Sequence, residues 1–390
     1  MRDGLSDFAL DRVVLHSVHD VAPTPCADSP SRLALAAALC DALAVDAGAP
    51  ELRALLLRCN EAGFGVDAQT QREDAVGGVP RALLAPLLLA FVAHESCSEA
   101  ELRRAEYTSA VFRPLSHVAA EMQRDIARDI GRTIPFGFSK LFGDPRVQKH
   151  LARLVLYVAS KLDVVGYLQG MCDIAAVLFL TFLEARAASA APGAGNDVLP
   201  LSDVDLIDAE ADTAHVFEAL IKRFLQVFLD LLSGEEMQAR MALIAADLAI
   251  SNPKLFTHLT DLQVELHLFM HRFHFTLLTR ELSARACQRV FLAYLSLPPH
   301  VDALRVHSAV CVALLNVVYT SSLLNSRDFE QAVMTAQSSL AKFFDEKTIV
   351  DAVFAEAHRV MHCRATFDRW ICVRASLLLL RGAAAHAAQL

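Results

Sequence analysis

From Val306 to Ser326 the chain carries no Asp, Glu, Lys or Arg. About 20 apolar residues can cross a bilayer, so this run must either do so or sit inside a folded core. Its composition decides the matter. His307, Ser308, Asn316, Thr320, Ser321, Ser322 and Asn325 all fall within it, and only Ala309–Tyr319 is densely apolar. Polar groups in hydrocarbon are costly, whereas a packed bundle offers them partners, so the run reads as a buried helix. The rest of the chain agrees. Hydrophobic residues make up 54% and charged residues 21%, which excludes disorder along the whole length. The mean hydropathy of +0.35 comes largely from Ala and Leu, both strong helix formers. Aromatics are only 7% and β-branched residues dominate no long segment, so the expected fold class is all-α.

Other features exclude functions. The net charge of −9 argues against nucleic-acid binding through a broad basic surface. The opening MRDGLSDFALD has acids and no apolar signal core, so secretion is not expected. Nine cysteines lie scattered between Cys26 and Cys372 with no C-x-x-C pair, as suits reduced thiols in a cytoplasmic protein. There is no G-x-x-x-x-G-K-[ST] loop to bind GTP and no G-x-S-x-G elbow. His267, His271 and His274 are spaced i, i+4, i+7, as metal ligands on one helix could be. Leu268 follows His267 where a metalloprotease needs Glu, and the interleaved Phe and Leu point to a core helix, so no metal is expected.

Helix punctuation recurs throughout. Ser29-Pro30-Ser31 and Gly48 bracket one segment, and Pro50 and Gly63 a second. Gly77-Gly78-Val79-Pro80 opens a third, very apolar segment in which Pro86 predicts a kink. Ser98 and Glu101 read as a capping box. Apolar residues at 147, 151, 154, 155, 158 and 162 form the stripe of an amphipathic helix. Between Ala187 and Thr213 the chain becomes small and acidic, with Pro192, Gly193, Gly195 and Pro200 ahead of five acids, and reads as a flexible, solvated loop. No repeat of fixed period is present, which disfavours a solenoid.

Two short segments break this background. In Ile126-Ala127-Arg128-Asp129-Ile130-Gly131-Arg132-Thr133-Ile134-Pro135, a polar helix face runs into Gly131. Pro135 then turns Ile134 away from helical geometry. Arg132 therefore sits at a helix end with Asp129 close enough to orient it. The second segment, Gly166-Tyr167-Leu168-Gln169-Gly170-Met171-Cys172-Asp173, joins the amphipathic helix to the apolar run Ile174–Leu183. Read alone, Arg132 is an ordinary helix-end cation, Gln169 a turn cap and Tyr167 a packing residue. Asp173 is equally a helix cap or a support for its neighbours.

Together and in this order, I-x-x-D-x-x-R-T-x-P and G-Y-x-Q-G-M resemble the paired motifs of TBC domains, the GTPase-activating proteins of Rab-type small GTPases. Gly78-Val79-Pro80, Pro253–Leu259, Arg272 and Arg280-Glu281 extend the resemblance. The family's usual Trp positions are departures, because the single Trp is Trp370. Phe273 stands where one of them would be, and Phe291-Leu292 where a Trp-Asp pair would be. The resemblance implies a two-lobed helical TBC domain over residues 77–325, preceded by a helical extension (1–76) and followed by further helices (326–390).

It also implies a role for each motif residue. Arg132 would be an arginine finger and Gln169 a glutamine finger, both inserted into the nucleotide site of a bound GTPase. Asp129, Thr133, Tyr167, Gly170 and Asp173 would support them. The chain would then need no cofactor of its own, since the partner GTPase holds GTP and Mg. The implied partner is a Rab-family GTPase, and a lipid-anchored partner would bring the chain to endomembranes only indirectly. The competing reading is a TBC-like module that binds a GTPase or scaffold without catalysis.

Overall fold

The computed structural model describes residues 75–365 apart from 77–78, 93–96, 114–116, 163–164, 191–200, 298–300 and 346–347. The two helical segments read before residue 64, Trp370 and the C-terminal tail lie outside the described residues. A two-residue antiparallel ladder, β1 (Ala75–Val76) with β2 (Val79–Pro80), is the one extended pairing among the described residues. Everything after it is helical or connecting turn. α1 (Arg81–Val92) follows directly and runs on through Pro86. α2 (Cys97–Val111) begins one residue before the Ser98 read as its cap. Next come α3 (His117–Ile130), the single turn α4 (Ser139–Phe142), α5 (Pro145–Ser160) and α6 (Met171–Ala190).

The amphipathic stripe holds. Val147, Leu151, Leu154, Val155 and Val158 on α5 are all buried, and Asp144 caps the helix by accepting the Arg146 N–H at 2.8 Å. α6 is the central rod, with Ile174 to Leu183 almost wholly enclosed. It packs against α1, α5 and α7 (Asp203–Arg223).

α6 and α7 correct the flexible-loop reading of 187–213 at its two ends, while its Pro/Gly part, 191–200, lies outside the described residues. Residues up to Ala190 belong to α6, and α7 is already helical at Asp203, capped by a reciprocal Ser202–Asp205 box. Two of the acids read as solvated, Glu210 and Asp212, lie inside. Glu210 accepts from Tyr107 Oη at 2.5 Å, Arg153 Nε at 2.6 Å and His150 Nδ1 at 2.5 Å. Asp212 meets Arg103, Arg104 and Arg186 at 2.8–3.1 Å. A carboxylate can be buried when guanidinium and hydroxyl donors converge on it. Those donors come from three other helices, α2, α5 and α6, so nothing in the local sequence announces them.

The second half comprises α8 (Leu225–Leu232), α9 (Gly234–Ser251), α10 (Pro253–Asp261), α11 (His267–Phe275), α12 (Ala284–Ser296), α13 (Ala303–Leu314) and α14 (Thr320–Leu324). α15 (Phe329–Gln337), a 3₁₀ turn (Leu340–Phe343) and a helix over 348–365 complete it. α12 bridges the halves, because its Arg285 forms a bidentate pair with Glu184 on α6. One continuous apolar core runs through both and takes in Ala332, Ala336, Ile349 and Phe354.

The charge-free run is α13, a five-residue π turn (Leu315–Tyr319) and α14. This helix is long and apolar enough to span a bilayer, yet 72% of its most apolar window is buried inside the fold. Its inward-facing polar residues have protein partners. His307 bonds Tyr294 Oη at 2.7 Å and the His274 carbonyl at 2.8 Å. Asn316, in the π turn, bonds Asn252 at 3.1 Å and Glu356 at 2.7 Å. Phe273, at the missing Trp position, is fully buried against Phe269 and Tyr319. Phe291 is likewise fully buried, so phenyl rings fill the space where the larger indoles would stand.

Candidate functional site

α3 ends at Ile130, held from beneath by the buried Ile126 and Ile130. The buried Thr133 hydroxyl donates to the Asp129 carbonyl at 2.9 Å, satisfying one of the free acceptors at the helix end. This closing turn leaves Arg132 outside the core, its side chain 59% exposed. Asp129 orients it: one carboxylate oxygen accepts from Arg132 Nε at 3.0 Å and Nη2 at 2.5 Å. That pairing raises the arginine's pKa further, so the guanidinium is permanently charged.

The other Asp129 oxygen accepts the Tyr167 hydroxyl at 2.5 Å. A single carboxylate thus ties the two motif loops side by side. Burial is the main cause that lifts the Tyr167 pKa, so the phenol stays protonated and donates. Cys172, 3.3 Å from the same hydroxyl, is pushed up to about 12 by burial and is a neutral thiol rather than a nucleophile.

Gly170 immediately precedes α6 with φ +105°, a backbone conformation that side chains disfavour. A Cβ there would stand 3.1 Å from the Phe275 ring and 3.3 Å from Thr276 Cγ2. The loop is therefore pressed against the end of α11, which leaves Gln169 exposed at its apex. Gly170→Ala should lower stability by about 1–3 kcal/mol through this strain and overlap. A thermal unfolding midpoint equal to that of the wild type would contradict it.

Asp173 lies in the first turn of α6, past the cap position, and its carboxylate turns to Arg280 at 2.9 and 3.1 Å. Burial raises the Asp173 pKa and Arg280 opposes that rise. Arg280 follows two consecutive left-handed leucines, Leu277 (φ 47°) and Leu278 (φ 67°), both fully buried. Packing holds this strained turn, and the turn aims Arg280 back at the motif loops. Its neighbour Glu281 is buried against Arg272 at 2.7 and 3.0 Å.

Two neighbouring clefts result, each about 320 Å³. Arg132, Asp173, Arg280 and Lys342 line the first, together with Ile134 and Phe136. Gln169, His271, Arg272, Gln337 and Arg280 line the second. The two candidate fingers thus occupy adjacent clefts joined at Arg280 rather than a single groove. Three cations against one carboxylate make the first cleft suited to an anion with several oxygens. Sequence reading had Arg280 as a motif match without a task and missed Lys342 and Gln337. Both come from the segment after residue 326, and no local pattern marks them.

The histidines resolve differently. His267 is exposed and half-exposed His271 bonds back to the His267 carbonyl, while His274 is fully buried. Among the described residues these three do not form a cluster of ligand atoms. His274, His307 and Cys311 do bring ligand atoms within 4.8 Å of one another. However, His307 already uses both ring nitrogens, and the two imidazoles are stacked at 24° rather than aimed at a common point. Burial lowers both imidazole pKa values, His307 to about 4, so both rings are neutral.

Comparison with known proteins agrees with this architecture. The model of the Rab-GTPase-TBC domain matches residues 92–323, more than half of the chain. TBC1 domain family member 22B of Homo sapiens is 26% identical over 239 residues, covering 61% of this chain and 45% of that protein. TBC1 domain family member 22A of Mus musculus is 25% identical over 315 residues (77% and 58%). The GTPase-activating protein gyp1 of Schizosaccharomyces pombe is 28% identical over 226 residues (58% and 42%). The chain thus matches about half the length of these relatives. Among solved structures, the Ypt/Rab-GAP domain of Gyp1p superposes with a TM-score of 0.64 at 20% identity, over 77% of this chain and 90% of that one. The all-α fold, the two linked motif loops and the match across residues 92–323 place this chain in the Rab-GTPase-TBC domain family.

Proposed function

We propose that this chain is a GTPase-activating protein for a Rab-type small GTPase and supplies Arg132 and Gln169 in trans. The observation that carries the proposal is Asp129, whose two carboxylate oxygens hold Arg132 and Tyr167 and so fix both loops as one unit. As GTP hydrolyses, negative charge spreads over the γ-phosphoryl oxygens in a loose transition state. A charged, planar guanidinium neutralises two such oxygens at once. The Gln169 carboxamide can accept from and donate to the attacking water, holding it in line. Arg280, pinned by Asp173 at the junction of the clefts, adds positive potential where the phosphates would lie. GTP and Mg belong to the partner, and membranes are reached through the partner.

Hydrolysis measured across a panel of GTP-loaded Rab proteins tests the reading. At least one Rab should respond, and Arg132→Lys should lose most of the acceleration, because an ammonium lacks the bidentate fork. Binding without acceleration would support the scaffold reading instead. The absence of both acceleration and binding across the whole panel would overturn the GTPase reading.

A further inference from the structure

The Arg132 cleft has an outer wall that catalysis does not use. Ile134 and Phe136, just after the arginine, are 45% and 48% exposed. The 3₁₀ turn Leu340–Phe343 returns to the same place from beyond the stretch that matches the family. Phe343 is 77% exposed, and its ring meets Phe136 edge-on at 5.7 Å. Lys342 lines the cleft with its ammonium 6.0 Å from the Phe136 ring, and no carboxylate among the described residues forms a salt bridge with it. Aromatic rings left this open beside a cationic cleft are unusual on a free surface and common at the centre of binding sites.

We propose that Ile134, Phe136 and Phe343, with Lys342 at their inner edge, dock the protein surface of the same GTPase beside its nucleotide. This inference rests on the GTPase reading above. Continuity identifies the occupant, because Ile134, Phe136 and Lys342 line the very cleft that Arg132 enters. A protein whose bound phosphates reach Arg132 passes over Ile134 and Phe136 in the cleft wall, and Phe343 extends that wall through its contact with Phe136. That protein's matching face is apolar, with a carboxylate or phosphate oxygen placed to meet the Lys342 ammonium. The C-terminal segment thereby supplies affinity and partner choice, while the two motif loops supply rate.

Phe343→Ser and Lys342→Ala, compared with Val204→Ser at a comparably exposed site on α7, test this in the full-length chain. Two readouts are needed: affinity for Rab proteins loaded with GppNHp, and the dependence of hydrolysis on activator concentration. Phe343→Ser should weaken binding by about 10-fold or more and raise the half-saturating concentration equally, with the maximal rate within about 2-fold. Lys342→Ala, at a residue that also lines the anion cleft, should weaken binding as well, and Val204→Ser should match the wild type in both readouts. Wild-type affinity for Phe343→Ser on a Rab that the wild type binds would overturn the docking proposal and leave the GTPase reading standing. Loss of self-association in sedimentation, with Rab affinity intact, would assign the patch to a second copy and also overturn it. If the wild type binds no Rab at all, the GTPase reading falls and the docking proposal falls with it.

Discussion

Arg132→Ala is expected to cut the maximal rate of activated GTP hydrolysis by roughly 10³–10⁵, the usual worth of an arginine supplied in trans. The fold should barely notice. The side chain is 59% exposed, and an exposed ion pair contributes only about 0–1 kcal/mol. Asp129 would keep its bond from Tyr167, so the second loop stays attached. A normal unfolding midpoint beside a collapsed rate is therefore the expected pattern. A parallel loss of both would recast Arg132 as a structural residue.

The largest effect on stability belongs to Glu210→Ala. Glu210 is fully buried on α7 and receives Tyr107, His150 and Arg153. Removing it strands a phenol and a guanidinium in a low-dielectric interior where neither finds an equal acceptor. Breaking a buried pair by deleting one partner costs about 3–5 kcal/mol. For a domain of this size that lowers the thermal midpoint by roughly 5–8 °C, readable by circular dichroism. Glu210→Gln should be milder, because the amide oxygen still accepts one or two of these bonds. A midpoint for Glu210→Ala within about 2 °C of wild type would show the network to be dispensable.

Glu210 also shows where sequence reading reaches its limit. Periodicity exposed α5, and the polar residues inside an apolar run identified α13 as core, since both signals are local. The acidic stretch after Pro200 read as a solvated loop for an equally local reason: unpaired acids belong in water. Its true environment is made by arginines of α2, α5 and α6, which fall within 3.1 Å only after packing. The candidate site divides in the same way. The motif spacing led to Arg132, Asp129, Tyr167 and Gln169, and the fold joins their loops through one carboxylate. Arg280 had no visible purpose until two left-handed leucines turned it toward Asp173. Lys342 and Phe343 sit in a segment with no motif, and only the path of the chain brings them back to the cleft.

The central claim is that both fingers come from this chain, and it is tested most directly in the partner. In most small GTPases the water-positioning glutamine is intrinsic. A responsive Rab whose own glutamine is replaced by leucine should then remain fully activated by the wild-type chain in single-turnover GTP hydrolysis. The same Rab should stay slow with Gln169→Ala. Failure of the wild-type chain to accelerate that substituted Rab, or undiminished acceleration by Gln169→Ala, would contradict the account.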